Sequence, residues 1–162
     1  MATPELFQAK GFTLSVGQTP AGEILEGRNG PGDDFVSWLF PLVGSATITF
    51  GRQTPKVLVA QPLQLVDLRA SKSKVFKLEA GESGFEYFSF SSPDLYAATL
   101  LSQGTTVLEP SNQRRILVVF KGSLKANGAS LTEETLAAAV VLGKRVEVEV
   151  PDGAICALFV KG

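Results

Sequence analysis

The chain has 162 residues, 44% hydrophobic and 19% charged, which excludes a disordered segment and suits one compact domain or two small halves sharing a core. With 15 Lys and Arg against 16 Asp and Glu the net charge is −1, so no general field draws the protein to nucleic acid or an anionic membrane. Histidine is absent and cysteine occurs once, at Cys156, which removes the commonest metal ligand, the commonest general base and any disulfide within the chain. The start, Met1-Ala-Thr-Pro-Glu5, has no basic stretch followed by an apolar one, and no apolar run reaches the roughly eighteen residues of a membrane span. A cytoplasmic location is the expectation.

In chain order, Glu23, Glu26, Asp33 and Asp34 flank a glycine-rich stretch, residues 27–32, that reads as a flexible turn. These carboxylates are either a polar loop at a rim or oxygen ligands for a hard cation. Residues 36–50 carry the clearest strand signal. Val36, Trp38, Phe40, Leu42, Ala46, Ile48 and Phe50 alternate with smaller residues, and Gly44 divides the stretch into two strands or one bent strand. Trp38, on the face of Phe40, either packs in the core or lines a pocket. Further strands are predicted at residues 56–60, 63–68, 74–79 and 85–90, with turns at 51–55, 70–73 and 80–84. Strands then follow at 95–101, 105–108, 114–121, 123–126, 145–150 and 154–160. Residues 130–142 are two-sided. Ser130 and Glu133 are spaced as a helix capping box and Ala137, Ala138 and Ala139 favour helix, but Val140, Val141 and Leu142 need packing in an otherwise β chain, which favours a strand at 136–142. The 16 Gly and 9 Pro spread along the chain fit this all-β rhythm of short segments.

The two halves follow one plan. Gly44-Ser45 and Gly122-Ser123 each come after an apolar strand. Each half continues through a turn, a strand ending at Val66 or Leu142, a basic turn at 72–74 or 144–145, then two more strands. Self-similarity on this scale argues for duplication.

This order of strands and glycines resembles the cupin superfamily, whose jelly-roll barrels often occur in tandem as bicupins. The second half, with Arg115-Ile-Leu-Val-Val-Phe-Lys-Gly-Ser123 and Asn127-Gly128, is similar to the C-terminal cupin of pirin-like proteins. The resemblance implies an all-β double-stranded β-helix (jelly roll) of two cupin-like halves, residues 1–92 and 93–162. It also implies a metal motif, two histidines and an acidic residue before the glycine turn, with a later histidine. Those positions fall here among Gly30, Pro31, Gly32, Asp33 and Ser37, with the later one near Lys72. In the second half they fall among Leu108, Glu109, Pro110, Ser111 and Arg115, with the later one near Val148. No imidazole stands at any of them, so the oxygenase and metal-dependent isomerase activities do not carry over, and no metal or cofactor is expected.

Asp67 and Arg69 alternate with Val66 and Leu68 and so share a face, which looks either into the barrel or to water. Inside, they would orient a carboxylate or carbonyl ligand. Arg114 and Arg115 read as anion-binding forks or as rim charges pairing locally with Glu109. The second half is shorter and richer in small and aliphatic residues that can fill a narrow barrel. A ligand site is therefore predicted in the first half, at Ser37, Asp67 and Arg69. Two functions remain. One is a non-catalytic small-polar-ligand-binding, structural or regulatory module, forming a homodimer and touching neither nucleic acid nor membrane. The other is a metal-independent isomerase or lyase acting on a small sugar or keto acid. The side chains lining each barrel discriminate between them.

Overall fold

A computed structural model of the chain describes residues 5–9, 12–29, 32–51, 56–69, 75–92 and 94–162. Gly30, Pro31, the turn residues 52–55 and 70–73 and the basic turn at 72–74 lie outside these, as do the side chains of Asp33 and Asp34. Among the described residues every regular element is a strand, and no helix is long and apolar enough to cross a membrane. Two compact units divide the chain, Met1–Asp94 and Leu95–Gly162.

The first unit contains β1 (Glu5–Ala9), β2 (Phe12–Thr19), β3 (Ile24–Arg28), β4 (Gly32–Phe50), β5 (Lys56–Ala60), β6 (Val66–Asp67) and β7 (Val75–Ser92). All these strands pair antiparallel, in the order β1-β2-β7-β4-β5, with β3 on β7 and β6 on β4. The second contains β8 (Tyr96–Leu100), β9 (Gly104–Leu108), β10 (Arg115–Lys121), β11 (Ser123–Ala126), β12 (Ala129–Thr132), β13 (Ala137–Ala139), β14 (Val146–Val150) and β15 (Ile155–Lys161). They form two sheets, β13-β10-β15-β8 and β12-β11-β14-β9. The units share one pairing plan. The early part of β4 pairs with β6 and the late part of β7, as β10 pairs with β13 and β15; its later part pairs with β5 and the early part of β7, as β11 pairs with β12 and β14. The flanks match too, β2 and β3 lying on β7 as β8 lies on β15 and β9 on β14. The fold is an all-β jelly roll.

The predicted turn at 80–84 is instead the middle of β7. Its residues 81–84 fall opposite Ser45 alone, so the expected break is a wide bulge and not the end of a strand. Gly44 sits at this corner with φ 76, and a Cβ there would overlap the Gly84 carbonyl oxygen, so only glycine fits. The register shifts around it also overturn the single apolar face expected for residues 36–50. Leu39, Ala46, Ile48 and Phe50 enter the interior cluster with Phe76, Leu78, Phe85 and Tyr87, whereas Trp38 and Phe40 alternate with Leu39 and bury on the opposite side, across from Phe90 and Phe88. Residues 24–28, read partly as flexible turn, form β3. Gly27 belongs there because it lies opposite Phe76, whose ring covers the space a side chain would need. Of the strand predicted at 63–68 only Val66–Asp67 pairs. Leu63 adopts φ 63 and donates its N–H to Pro41 O at 2.9 Å, which ends any regular run.

The second unit's interior is aliphatic: Leu108, Leu117, Val119, Leu124, Leu131, Val140, Val146, Val148, Val150 and Cys156. Both faces of β10 are buried, since Ile116, Val118 and Phe120 are as inaccessible as the residues between them. The capping-box segment makes a single turn, Leu136 N to Thr132 O at 2.8 Å, and Leu136 at φ 67 then breaks it. The strand expected at 136–142 is shortened to Ala137–Ala139, and Val141 and Leu142 are exposed.

Candidate functional site

In the first unit the structure pairs Asp67 with Arg69 and sets the backbone of Ser37 beside them. Strand β6 joins β4 through the pairs Trp38 with Asp67 and Leu39 with Val66, and the next link is Leu68 N to Ser37 O at 3.0 Å. Val66 and Leu68 fill the interior, so the side chains between them turn to the side of Trp38 and away from the apolar cluster. Arg69 Nε donates to Asp67 Oδ1 at 2.9 Å and Nη2 donates to Oδ2 at 3.1 Å, a two-point pair with side chains 21% and 36% exposed. The Arg69 guanidinium also lies 4.7 Å from the Trp38 ring centre. A bidentate pair stacked on an indole is rigid and electrically neutral, which suits hydrogen bonding to an uncharged polar group better than capture of an anion. Asn29 Nδ2 donates to Leu68 O at 2.7 Å and ties the end of β3 to this corner.

Among the described residues the remaining carboxylates do not gather. Glu26 makes an exposed ion pair with Lys77 at 3.5 Å, beside a recess of about 70 Å³ lined by Gly27, Thr49, Gly51, Val75 and Phe76. That space holds a few waters. Among the described residues no group of three or more His, Cys, Asp or Glu is placed to hold a metal ion. In the second unit the metal positions implied by the family are occupied by the wrong chemistry: Leu108 and Val148 belong to the aliphatic interior, the Ser111 hydroxyl accepts from Gln113 N at 3.0 Å, and a guanidinium stands at Arg115. These residues do not fit a metal.

Arg115 is the polar residue whose environment the sequence hides most. Of its two sequence readings, anion-binding fork or rim charge pairing with Glu109, the rim position does not hold: it is only 6% exposed, and its contact with Glu109 is Nη1 to the backbone oxygen at 2.9 Å. Strand position explains the burial: β15 lies on one side through Val160, Val140 N donates to Arg115 O at 2.8 Å on the other, and the side chain shares a face with Leu117 and Val119. Two more groups with titratable protons, one in each unit, are buried as core residues. Tyr87 stacks on Phe85 at 4.8 Å between ring centres, and burial raises its pKa while a hydrogen bond with Thr19 opposes the shift. Cys156, read as a small buried hydrophobe, is one, and burial pushes its thiol up to about 11.

No protein-family model and no curated protein matches the chain. Among solved structures it is similar to HutD from Pseudomonas fluorescens, 17% identical over 94% of this chain and 80% of that one, with a TM-score of 0.62. It is also similar to a cupin 2 conserved barrel domain protein from Leptotrichia buccalis, 9% identical over 99% and 88% with a TM-score of 0.55. A third is an oxalate decarboxylase formate complex from Lactobacillus farciminis, 9% identical over 93% and 76% with a TM-score of 0.60. Likeness at this level shows the fold, and the chain has the cupin fold.

Proposed function

We propose that the chain is a metal-free tandem cupin, two barrels related by duplication, that binds a small polar ligand and performs no metal-dependent chemistry. The donor set carries this reading: a sequence without histidine, and a second-unit interior in which Leu108 and Val148 stand where the fold's metal ligands would be expected, with a guanidinium at Arg115. The shared pairing plan of the two units supports the duplication. For the first unit, Ser37, Asp67 and Arg69 are the proposed ligand contacts, and the neutral Asp67–Arg69 pair on Trp38 favours an uncharged polar partner there. Two of the similar structures are HutD in a formate condition and an oxalate decarboxylase formate complex, and formate is of the size of ligand proposed.

The protein is also proposed to be a homodimer. Strand β5 pairs only with β4 among the described residues and exposes Val57 and Val59 at an open edge, the arrangement that invites pairing with a second copy. Sedimentation giving a monomer at all concentrations removes that part. The function itself is tested by loading the purified chain with iron, manganese, nickel and zinc, desalting, and measuring bound metal. Retention near one ion per chain overturns it, and retention of none, with thermal stabilisation by a small polar compound, supports it.

A further inference from the structure

Resting on the ligand-binding reading above, we infer that Arg115 forms an anion site in the second unit, built to take a short aliphatic monocarboxylate. Its Nη1 is anchored on the Glu109 carbonyl at 2.9 Å, while Nε and Nη2, both buried, have no hydrogen-bond partner in the chain. These two groups form one edge of the guanidinium. Their N–H bonds run nearly parallel in the guanidinium plane, the spacing that matches the two oxygens of one carboxylate. A buried guanidinium with more than half its donors unmatched is costly, and a negative partner offsets that cost. No carboxylate of the described residues supplies it: Nε and Nη2 have no hydrogen-bond partner, the side chain of Glu109 is exposed, and Asp67, Glu26 and Glu147 pair with Arg69, Lys77 and Arg145.

Charge and surroundings narrow the ligand class. One guanidinium balances one negative charge, so a dianionic phosphate would bring an unmatched charge into the interior. The face that Arg115 shares with Leu117 and Val119 leads into a cluster of Val140, Leu108 and Leu131, which favours an alkyl remainder over a hydroxylated one. The backbone on both sides is held, by Val160 across the sheet and by Val140, so the fork is positioned before any ligand arrives.

The test follows the Arg115 Nε–H resonance of the full chain, labelled with nitrogen-15 arginine, during titration with sodium acetate and with sodium chloride at equal ionic strength. A saturable shift with acetate and none with chloride is expected, with phosphate at least about tenfold weaker. Arg115→Lys is expected to weaken acetate binding about tenfold or more, since a point charge replaces the fork. Arg115→Met is expected to abolish it. An Arg115 signal unmoved by formate, acetate or propionate at about 100 mM, far above the millimolar range, overturns the inference. So does an equal response to chloride. Acetate binding that survives in Arg115→Met refutes this site alone and leaves the general reading intact, whereas retained metal refutes that reading and leaves the Arg115 titration to be judged separately. Should a variant fail to fold, the wild-type titration still decides.

Discussion

The two units place their arginines in opposite circumstances on the same pairing plan. Arg69 of the first is neutralised by Asp67 and shielded by Trp38, whereas Arg115 of the second is buried against a backbone carbonyl with one edge of its fork unmatched. A charge satisfied within the chain contributes to structure, and a charge left unmatched in the interior implies a partner from outside. The units also turn their corners differently. Gly44 lets β4 run on through a bulge, while Gly122, at φ 80, separates β10 from β11.

The corners give the largest expected effect. Gly44→Val places a β-branched residue at positive φ and drives it into the Gly84 backbone, and it is expected to cost about 4 kcal/mol or to prevent folding of the first unit. Gly122→Val meets Ala154, its Cβ at 3.1 Å and its Cα at 3.2 Å, a looser approach than at Gly44, and is expected to cost about 2 kcal/mol. Amide exchange read separately in each unit gives both numbers. A larger cost at Gly122 would show that the two corners do not carry the load assigned to them.

The arginines give the next difference, with opposite signs. Arg115→Met replaces an incompletely bonded buried cation with an apolar chain of similar length, and is expected to stabilise the ligand-free protein by about 1–3 kcal/mol. Arg69→Met leaves a half-exposed carboxylate unpaired and is expected to lose about 1 kcal/mol or less. Urea titrations measure both, and quenching of Trp38, the sole tryptophan, should rise in Arg69→Met as the indole is uncovered. Destabilisation by Arg115→Met would mean that its fork is already satisfied.

These contrasts also mark what was legible in the sequence. The second unit's strands, such as Val146–Val150 with its strict alternation, are short, and apart from one shift between Val119 and Lys121 they keep their register between turns, so periodicity places nearly all of them. The first unit's long strands were harder to read. Bulges near Val36, Pro41 and Gly44 exchange the inward and outward sets, so one apolar face on paper becomes two faces in space. The adjacency of Asp67 and Arg69 follows from spacing alone, but their side of the sheet depends on the pairing of Asp67 with Trp38. Arg115 was misplaced for a related reason. A charge beside Arg114 and a polar turn looks exposed, and only the long-range contacts with Val160 and Val140 bury it.

Left-handed leucines provide a smaller test at matched places. Leu63 and Leu136 precede β6 and β13, and each bonds to the strand alongside: Leu63 N to Pro41 O, and Val119 N to Leu136 O at 2.7 Å. A left-handed leucine costs about 1–2 kcal/mol, which glycine relieves. Leu63 is 42% exposed and Leu136 9%. Leu63→Gly is therefore expected to stabilise by about 1 kcal/mol, whereas at Leu136 the lost burial, about 2 kcal/mol, outweighs the relief. Thermal unfolding decides the signs, and two gains or two losses would break the contrast.

Alkaline pH gives the smallest separation, and its sign follows from burial. The Cys156 thiol is 1% exposed, and its pKa is pushed from 9.0 to about 11, so the folded chain keeps a proton that the unfolded chain has released. Stability is then intact below pH 9 and falls as pH rises from 9 toward about 11, by about 1 kcal/mol near pH 10. Tyr87 in the first unit is also raised, by burial, against the opposing hydrogen bond with Thr19, so its loss begins only above pH 10.0. Cys156→Ala should flatten the stability curve from pH 9 upward, and Tyr87→Phe should change its slope only beyond 10.0. Amide exchange at stepped pH should show the second unit loosening first. If Tyr87→Phe removes the early slope and Cys156→Ala leaves it, the order of the units is reversed and the thiol is more accessible than its packing beneath Ser123 implies.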